Sequence, residues 1–265
     1  RLHTSVYNET AIEHIHRYIF ACQLVKNKHV LDLACGEGYG SNLLADVAKK
    51  VVGLDVDHKT IQNAEKKYNK KNLSFICCDA SKLCFDDNFF DIVVSFETIE
   101  HLENQELFLK EVKRVLKHNG ILILSTPNKK KFSDERNQIN PYHIREFYLH
   151  EFETLINNEF KNSHILTQDI YNTSFIHSNS KKDLPDIYIG DFKHFEIYNT
   201  EGLFFITVAS DDELPLINSS YFNASSMFHI AIKEIEKEIK KSYSYRTGHL
   251  LLYPFKLLQN LFQKK

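Results

Sequence analysis

The sequence predicts an α/β fold, in which helices cover both faces of a parallel sheet, and three observations support this prediction. Short apolar runs alternate with amphipathic stretches between residues 29 and 126, a pattern typical of βαβ units. A cluster of glycines follows the first apolar run, where a strand would turn tightly into a helix. The composition is that of an ordinary globular chain, because 43% of the 265 residues are hydrophobic and 26% are charged.

The elements of this fold can be predicted in chain order. An amphipathic helix is predicted over residues 10–26, where Ile12, Ile15 and Ile19 recur at helical spacing. The apolar runs predict buried strands, because the strands of a covered parallel sheet read as continuous hydrophobic segments. Predicted strands lie at 29–34, 50–57, 73–79, 90–96 and 120–126, and predicted helices at 40–48, 60–71 and 105–116.

The sequence changes character after Pro127. Polar residues become frequent, so a loop is predicted before the chain resumes regular structure. The stretch 171–200 is rich in Asn, Ser, Asp and Lys and predicts a long excursion, a feature that is often functional in compact domains. The predictions for this part are a loop at 128–143, a helix at 144–160, and strands at 162–171 and 202–210.

Two parts of the chain are predicted to be organised differently. Residues 1–210 form one predicted domain, which includes the excursion at 171–200 as an insertion. Residues 211–265 form a predicted helical extension. This extension contains an amphipathic helix at 231–245, with three isoleucines on one face, and ends in an apolar, basic-ended segment at 250–265.

Charge and cysteine content restrict the classes of partner and the compartment. With 33 Lys and Arg against 35 Asp and Glu, the net charge is −2, so no overall field attracts nucleic acid or anionic lipid. No run approaches the roughly 18 apolar residues that a membrane span requires. The five cysteines form an odd number without a CxxC pair, and no secretory leader is recognised. We therefore expect reduced thiols and a cytoplasmic protein.

The glycine cluster predicts a binding site for an adenosine-type cofactor. Gly36 and Gly38 let the backbone approach a ligand, and Asp55, at the end of the second predicted strand, can accept the hydroxyls of a ribose. A carboxylate at Asp32, just upstream, would repel a pyrophosphate but attract the ammonium and sulfonium groups of S-adenosylmethionine (SAM). The glycines also alternate, unlike the GxGxxG of NAD sites. The pattern favours SAM.

Five motifs resemble those of the class I SAM-dependent methyltransferases, over roughly residues 25–130. They are DLACGEGYG, VVGLDVD, FICCDA, FDIVVSFETIEHL and VLKHNGILILSTPN, in this order. The resemblance implies a Rossmann-like, doubly wound sheet of seven strands and an enzyme that transfers a methyl group from SAM.

The resemblance also implies which residues contact the cofactor. The glycine loop would wrap the methionine part of SAM, and Asp79 would contact the adenine amine, although a carboxylate there could instead cap a helix. Arg17 or Tyr18, on the helix before the first strand, would reach the methionine carboxylate unless they are ordinary surface residues. The implied cofactor residues are Asp32, Ala34, Gly36, Gly38, Asp55, Val56, Asp79, Ala80, Phe96, Arg17 and Tyr18.

Four further residues are candidates for the chemistry. Methylation of an alcohol needs a general base or a cation that stabilises the alkoxide. Glu97, Glu100 and His101 follow the fourth predicted strand and would share one side of a helix, and His143 would approach from the fifth. This pattern resembles the ubiquinone-biosynthesis O-methyltransferases and the small-RNA 3′-end 2′-O-methyltransferases. The latter resemblance implies that all four residues bind a cation such as Mg²⁺ or Mn²⁺; the rival interpretation makes His101 a base without metal, with His143 and Glu97 as further catalytic candidates.

The acceptor is predicted from a weaker resemblance. The motifs HRY, FETIEHL, STPN and PYHIREF are similar to those of type 11/12-like bacterial methyltransferases of the surface-glycan kind. This implies a sugar hydroxyl in capsule or O-antigen polysaccharide biosynthesis, with residues 129–145 and 171–200 as the acceptor-side wall. The alternatives are methylation at nitrogen or at a phosphate oxygen of a small metabolite, and a SAM-binding subunit without activity. No nucleic acid partner is expected, and the C-terminal segment is a candidate contact for a membrane surface or a glycosyltransferase.

Overall fold

The computed structural model describes residues 8–171, 188–190, 194–197, 201–244 and 247. The helices are α1 (Glu9–Cys22), α2 (Tyr39–Leu44), α3 (His58–Lys67), α4 (Gln105–Val115), α5 (Leu149–Glu159) and α6 (Ser225–Lys241). The strands are β1 (His29–Leu33), β2 (Lys50–Asp55), β3 (Leu73–Cys77), β4 (Phe90–Phe96), β5 (Leu116–Pro127), β6 (Asn162–Gln168), β7 (Tyr188–Gly190), β8 (Phe195–Ile197) and β9 (Phe204–Ser210). A 3₁₀ turn at Ile99–His101 and a π-helical turn at Lys130–Asp134 complete the described elements.

The main sheet has seven strands in the order β3-β2-β1-β4-β5-β9-β6. Strands β1 to β5 pair in parallel, so the predicted doubly wound α/β class is confirmed. The seven-stranded sheet is mixed, since β9 lies antiparallel between β5 and β6. An apolar strand looks the same in sequence whichever way its neighbours run, so only the pairing shows this. The short strands β7 and β8 form a separate antiparallel pair.

The core lies in two layers, one on each face of the sheet. Successive strand residues point to opposite faces, so Leu31 of β1 packs with Phe108 of α4, whereas the adjacent Val30 packs with Ala21 of α1. The layer containing Leu31 also takes in α5. These layers hold the carboxyl ends of the parallel strands at one edge of the sheet.

Several helix boundaries differ from the predicted ones, and hydrogen bonds accompany two of the differences. Helix α1 begins at Glu9, because the Asn8 side chain accepts a hydrogen bond from the backbone of Ala11. Helix α5 begins at Leu149 and not at residue 144. The backbone N–H groups of Ile144 and Arg145 donate to the Glu100 carbonyl, at 2.8 and 3.2 Å, and these bonds tie the segment before α5 to the turn after β4.

Helix α6 continues the chain beyond the sheet. Its first turn packs on α1, where Ala224 and Met227 join Ala11 and Ile12 in a small buried cluster. The isoleucines of the predicted apolar face are in α6 and are exposed. The predicted segment at 250–265 and most of the predicted excursion at 171–200 lie outside the described residues. In the described part of the chain, no helix is long and apolar enough to cross a membrane.

Candidate active site

The predicted site residues come together at the carboxyl edge of the parallel strands. Neighbouring strands β1 and β4 continue the chain in opposite directions across the sheet, and such a point of reversal opens a crevice. The turns after β1, β2, β4 and β5 meet there, and α1 packs beside β4 and α2. The geometry of each turn decides what it offers to a ligand.

The glycine loop leaves open space above its first glycine. Gly36 has a φ of 54°, and a Cβ placed there would meet no atom within 4 Å. Gly38, with a φ of 79°, precedes α2, and a Cβ there would lie 2.6 Å from the Phe75 ring. Ala34 also has a left-handed φ, of 60°. Packing against Phe75 therefore requires a residue without a side chain at position 38, whereas the open space beside Gly36 can admit a ligand.

Asp55 stands beside this loop. Its Oδ2 accepts a hydrogen bond from the Gly36 N–H at 3.0 Å, and its Oδ1 accepts one from the Asp57 N–H at 2.9 Å. These bonds hold the carboxylate at the end of β2, and the next side chain, Val56, is 67% exposed. The structure thus places Asp55, the residue that is predicted to bind the ribose, next to the open part of the loop.

Asp79 and Ala80 follow β3 at the same edge of the sheet. The Asp79 Oδ1 accepts hydrogen bonds from the N–H and the hydroxyl of Ser81, both at 2.8 Å, and these bonds lower its pKa. Residues 80–82 form a turn and not a helix, so the alternative prediction of a helix cap is wrong. The Asp79 carboxylate is exposed and Ala80 is half-buried.

Asp32 is completely buried and its carboxylate is used within the protein. Tyr18 Oη donates to one oxygen at 3.1 Å, and Ser41 Oγ donates to the other at 2.5 Å. Burial raises the Asp32 pKa to about 7. The Tyr18 ring packs edge-on against Phe96, with centroids 5.0 Å apart. In this structure Asp32 therefore fastens α1 to β1, a role that its place in the motif did not suggest.

Arg17 lies in α1 and is also buried. Its Nε donates to Gln168 Oε1 at 2.7 Å, and its guanidinium lies 4.2 Å from the centre of the Phe204 ring. Its Nη1 is 3.2 Å from Glu97 Oε1, and among the described residues Nη2 has no hydrogen-bond partner. A buried N–H without an acceptor is costly, so this arrangement suits an anionic ligand group. Gln168 and Phe204 were missed, because nothing in the sequence links them to Arg17.

Glu97 does not belong to the group that the other three candidate residues, Glu100, His101 and His143, form. It has a left-handed φ of 51°, and its Oε1 accepts a hydrogen bond from Ser125 Oγ at 2.7 Å. The expectation that Glu97, Glu100 and His101 share a helix face is wrong, since the 3₁₀ turn begins only at Ile99. The backbone reversal at Glu97 directs its carboxylate to Arg17 instead.

Glu100 and His101 form the centre of the acid-and-histidine group. Glu100 is fully buried; its Oε2 accepts from Thr126 Oγ1 at 3.2 Å, whereas Oε1 has no donor among the described residues. Burial, and next the charge of Glu97, raise the Glu100 pKa well above its usual value. His101 Nδ1 lies 2.8 Å from the Tyr142 carbonyl, which can only accept, so Nδ1 carries the proton. His101 Nε2 then keeps a lone pair, 3.8 Å from Glu100 Oε1.

His143 completes the group, and its tautomer can be deduced. The Asn140 Oδ1 accepts from the Tyr142 N–H at 3.1 Å, so the Asn140 amide nitrogen faces His143 Nε2, at 2.8 Å. Nε2 is therefore the acceptor, and Nδ1 donates to Glu146 Oε1 at 2.5 Å. One potential ligand atom each from Glu100, His101 and His143 lies within 4.8 Å of the others. Glu146 was missed, although its spacing of three from His143 could have suggested a pair.

Residues 31–124 match the family model described as "Methyltransferase domain". They run from β1 into β5 and include the glycine loop, Asp55 and the turn with Glu100 and His101. The match covers about a third of the chain and supports a methyltransferase domain in this segment. The surface-glycan branch of the resemblance is not tested by this match.

Curated relatives resemble the same part of the chain. Over 130 residues it is 39% identical to a probable S-adenosylmethionine-dependent methyltransferase of Mycolicibacterium smegmatis, a match covering 49% of this chain and 50% of that protein. It is 34% identical over 106 residues to the ubiquinone biosynthesis O-methyltransferase of Pelagibacter ubique, covering 40% and 44%. The chain thus spans about half the length of the curated relatives it matches.

Solved structures share the fold. A SAM-dependent methyltransferase of Thermotoga maritima, described as a possible histamine N-methyltransferase, has a TM-score of 0.54 and 18% identity, covering 76% of this chain and 91% of that one. A Pyrococcus horikoshii protein also has a TM-score of 0.54, at 24% identity, with 76% and 89% covered. At such identities the likeness concerns the arrangement of the sheet and helices.

Proposed function

We propose that this protein is a SAM-dependent O-methyltransferase whose acceptor is a sugar hydroxyl, in the biosynthesis of a surface polysaccharide. The observation that carries the proposal is the group formed by Glu100, His101 and His143, placed at the carboxyl edge of the sheet of a methyltransferase domain. An alcohol is a weak acid, and such a group can remove or stabilise the charge that develops on its oxygen.

The residues fit SAM, which supplies an activated methyl group when bound. The open space at Gly36 and the carboxylate of Asp55 suit the nucleoside, and the unpartnered Nη2 of Arg17 suits the methionine carboxylate. The Arg17 guanidinium is already stacked on Phe204 and bonded to Gln168, so it needs no rearrangement to bind.

His101 has the geometry of a general base. The Tyr142 carbonyl holds the proton on Nδ1, which leaves the Nε2 lone pair available for the proton of an acceptor hydroxyl. The His101 side chain is 40% exposed, so an acceptor can reach it from solvent.

In the proposed reaction a divalent cation uses the Nε2 lone pair of His101, so metal binding by His101 and its role as a free base are alternatives. Mn²⁺ or Mg²⁺ would be held by Glu100, His101 and His143, and a bound cation would stabilise an alkoxide as a Lewis acid. The buried Glu100 Oε1 without a donor supports this ligand set, and Glu146 orients His143 as carboxylates commonly orient metal-binding histidines. Asn140 would have to release His143 Nε2. Glu97 is left out of the set, since it pairs with Arg17.

An amine is the second candidate acceptor; it would bind as an ammonium ion and give its proton to His101 Nε2 before its nitrogen lone pair takes the methyl group. The same unpartnered, buried Glu100 carboxylate that suits a cation also suits an ammonium group. N-methylation would require no metal, so cation dependence distinguishes the two candidates.

The decisive experiment uses methyl-labelled SAM with separate pools of nucleotide sugars, cell-surface glycan extracts and amines, each with and without EDTA. We expect label in a sugar pool and its loss with EDTA. Glu100→Gln should remove the response to added Mn²⁺, whereas Glu103→Gln, a change at an exposed carboxylate nearby, should not. Label that survives EDTA would leave His101 as the base, and His101→Ala should then lower turnover with SAM affinity unchanged. Label confined to amines would refute O-methylation.

A further inference from the structure

Large apolar side chains are exposed together at the rim of the candidate site. Ile139 is 93% exposed, Tyr142 is 78% exposed and Ile144 is 57% exposed, within six consecutive residues. Single exposed apolar residues are common, but a cluster beside a functional site usually marks an interaction surface. We call these three side chains the rim cluster.

The rim cluster is held outward by a rigid turn. The His143 N–H donates to the Asn140 carbonyl at 3.1 Å, which closes a turn with Pro141 and Tyr142 at its corner. The Tyr142 carbonyl is bonded to His101 and the Ile144 N–H to Glu100, so the inner side of the turn is tied to the site. The exposure is therefore a property of an anchored segment.

The segment that carries the rim cluster is rich in cations. Among the described residues, no carboxylate oxygen lies within ion-pair distance of Lys129, Arg136 or Arg145; these cations lie over aromatic rings instead. Residues 129–146 contain five Lys and Arg against three carboxylates, Asp134, Glu135 and Glu146, so the segment has a net charge of +2. The surface around the exposed apolar side chains is thus locally positive, although the whole chain has a net charge of −2.

We propose that the rim cluster docks on an anionic lipid bilayer. Isoleucine and tyrosine side chains suit the boundary between headgroups and acyl chains, and arginines suit the lipid phosphates. An exposed apolar tip on a segment of net positive charge is the pattern of a peripheral membrane contact, whereas a protein partner would not require the cations. The docking does not depend on the proposed function.

One consequence does rest on the proposed function. The docked turn carries His143 and binds His101, so both histidines would lie close to the headgroup layer. An acceptor attached to a lipid could then reach His101 Nε2 without leaving the bilayer. The structure accordingly points to a lipid-borne acceptor.

The first test is sedimentation of the full chain with vesicles of phosphatidylcholine, with or without one third phosphatidylglycerol. We expect binding to the anionic vesicles only. Replacing Ile139, Tyr142 and Ile144 together by serine should weaken it at least tenfold. The matched control replaces Ile232, Ile235 and Ile239 of α6, which are 54%, 59% and 51% exposed, and should bind as the parent does.

A second measurement reports on the contact itself. The chain contains no tryptophan, so Tyr142→Trp creates a single fluorescent reporter at the rim. Its emission should shift to shorter wavelength with anionic vesicles and be quenched by brominated lipids, whereas Phe228→Trp in α6 should show neither change.

Three results would overturn the proposal: no sedimentation of the parent chain with anionic vesicles, retained binding in the rim variant, or loss of binding only in the α6 variant. Vesicle binding needs neither SAM nor an acceptor. Failure of docking is therefore distinguishable from failure of the proposed O-methylation.

Discussion

At the scale of single residues, the site depends on side chains whose oxygen and nitrogen atoms are held by neighbours. Asp55 is fixed by two backbone N–H groups, His101 by the Tyr142 carbonyl and His143 by Glu146. Such bonds reduce the rotamer freedom that a bound ligand would otherwise have to remove. Two predictions belong to this scale.

Asp55→Ala should weaken SAM binding by about one to two powers of ten, because hydrogen bonds to a charged acceptor contribute ~1.5–3 kcal/mol. Calorimetric titration with SAM measures the change. Asp86→Ala, at an exposed carboxylate, is the control. Unchanged affinity in Asp55→Ala would refute the ribose assignment.

Glu146→Gln should disturb His143 without unfolding the chain, because a glutamine amide can donate to Nδ1 as well as accept from it. We expect Mn²⁺ affinity to fall by about 10–100-fold, the usual effect of removing the partner of a metal-bound histidine. NMR of the protein with nitrogen-labelled histidine should show that the His143 ring populates both neutral tautomers. Glu153→Gln, at an exposed position of α5, should change neither quantity.

At the scale of elements, α1 is the part of the fold that closes the site. It brings Arg17 and Tyr18 to the edge of the sheet. It is held there by the hydrogen bond between Tyr18 and Asp32 and by apolar contacts with the first turn of α6. The close packing of Tyr18 over α2 requires a residue without a side chain at Gly40, since a Cβ there would lie 1.9 Å from the tyrosine ring.

Gly40→Ala should displace α1 and destabilise the protein by about 1–3 kcal/mol, the usual cost of overpacking. SAM affinity should fall with it, because Arg17 moves with the helix. Thermal unfolding and SAM titration measure the two effects. Gly120→Ala serves as a control distant from the cofactor edge: it should affect stability but not SAM affinity. Equal SAM affinity in both variants would show that α1 does not position the cofactor residues.

At the scale of the whole molecule, burial of acids makes folding depend on pH. The Asp32 pKa is raised from 3.8 to about 7 by burial, so the folded state retains a proton that the unfolded state has lost. Between pH 4 and 7 the unfolded state therefore binds fewer protons at Asp32 than the folded state does. The contribution of Asp32 to the stability of the folded state decreases as the pH rises.

Asp32→Asn should flatten this dependence, because asparagine resembles the protonated acid and does not titrate. The difference in unfolding free energy between parent and variant should change by up to a few kcal/mol from pH 5 to pH 8, since each pKa unit corresponds to about 1.4 kcal/mol. Urea unfolding at several pH values measures it. Parallel pH curves for the two proteins would contradict the raised pKa.

Much of this protein could be predicted from local patterns. The alternation of apolar runs and amphipathic stretches placed β1 to β5, because strand and helix periodicities are properties of neighbouring residues. The glycine spacing and Asp55 predicted a cofactor site at this edge of the sheet, and the structure places Gly36 and Asp55 in contact. The turn at Glu97 and the start of α5 were predicted wrongly, since each depends on a contact with a distant part of the chain, and the direction of β9 was not predicted.

By itself, the sequence determined the α/β class, the order of the elements and the identity of the residues that converge on one edge of the sheet. Only the tertiary structure decided how those residues divide: Glu97 with Arg17, Asp32 with Tyr18 and Ser41, and Glu100 with the two histidines. The physical reason is that burial and hydrogen bonding assign each charged group a partner. Those partners come from segments far apart in the chain, which no local spacing records.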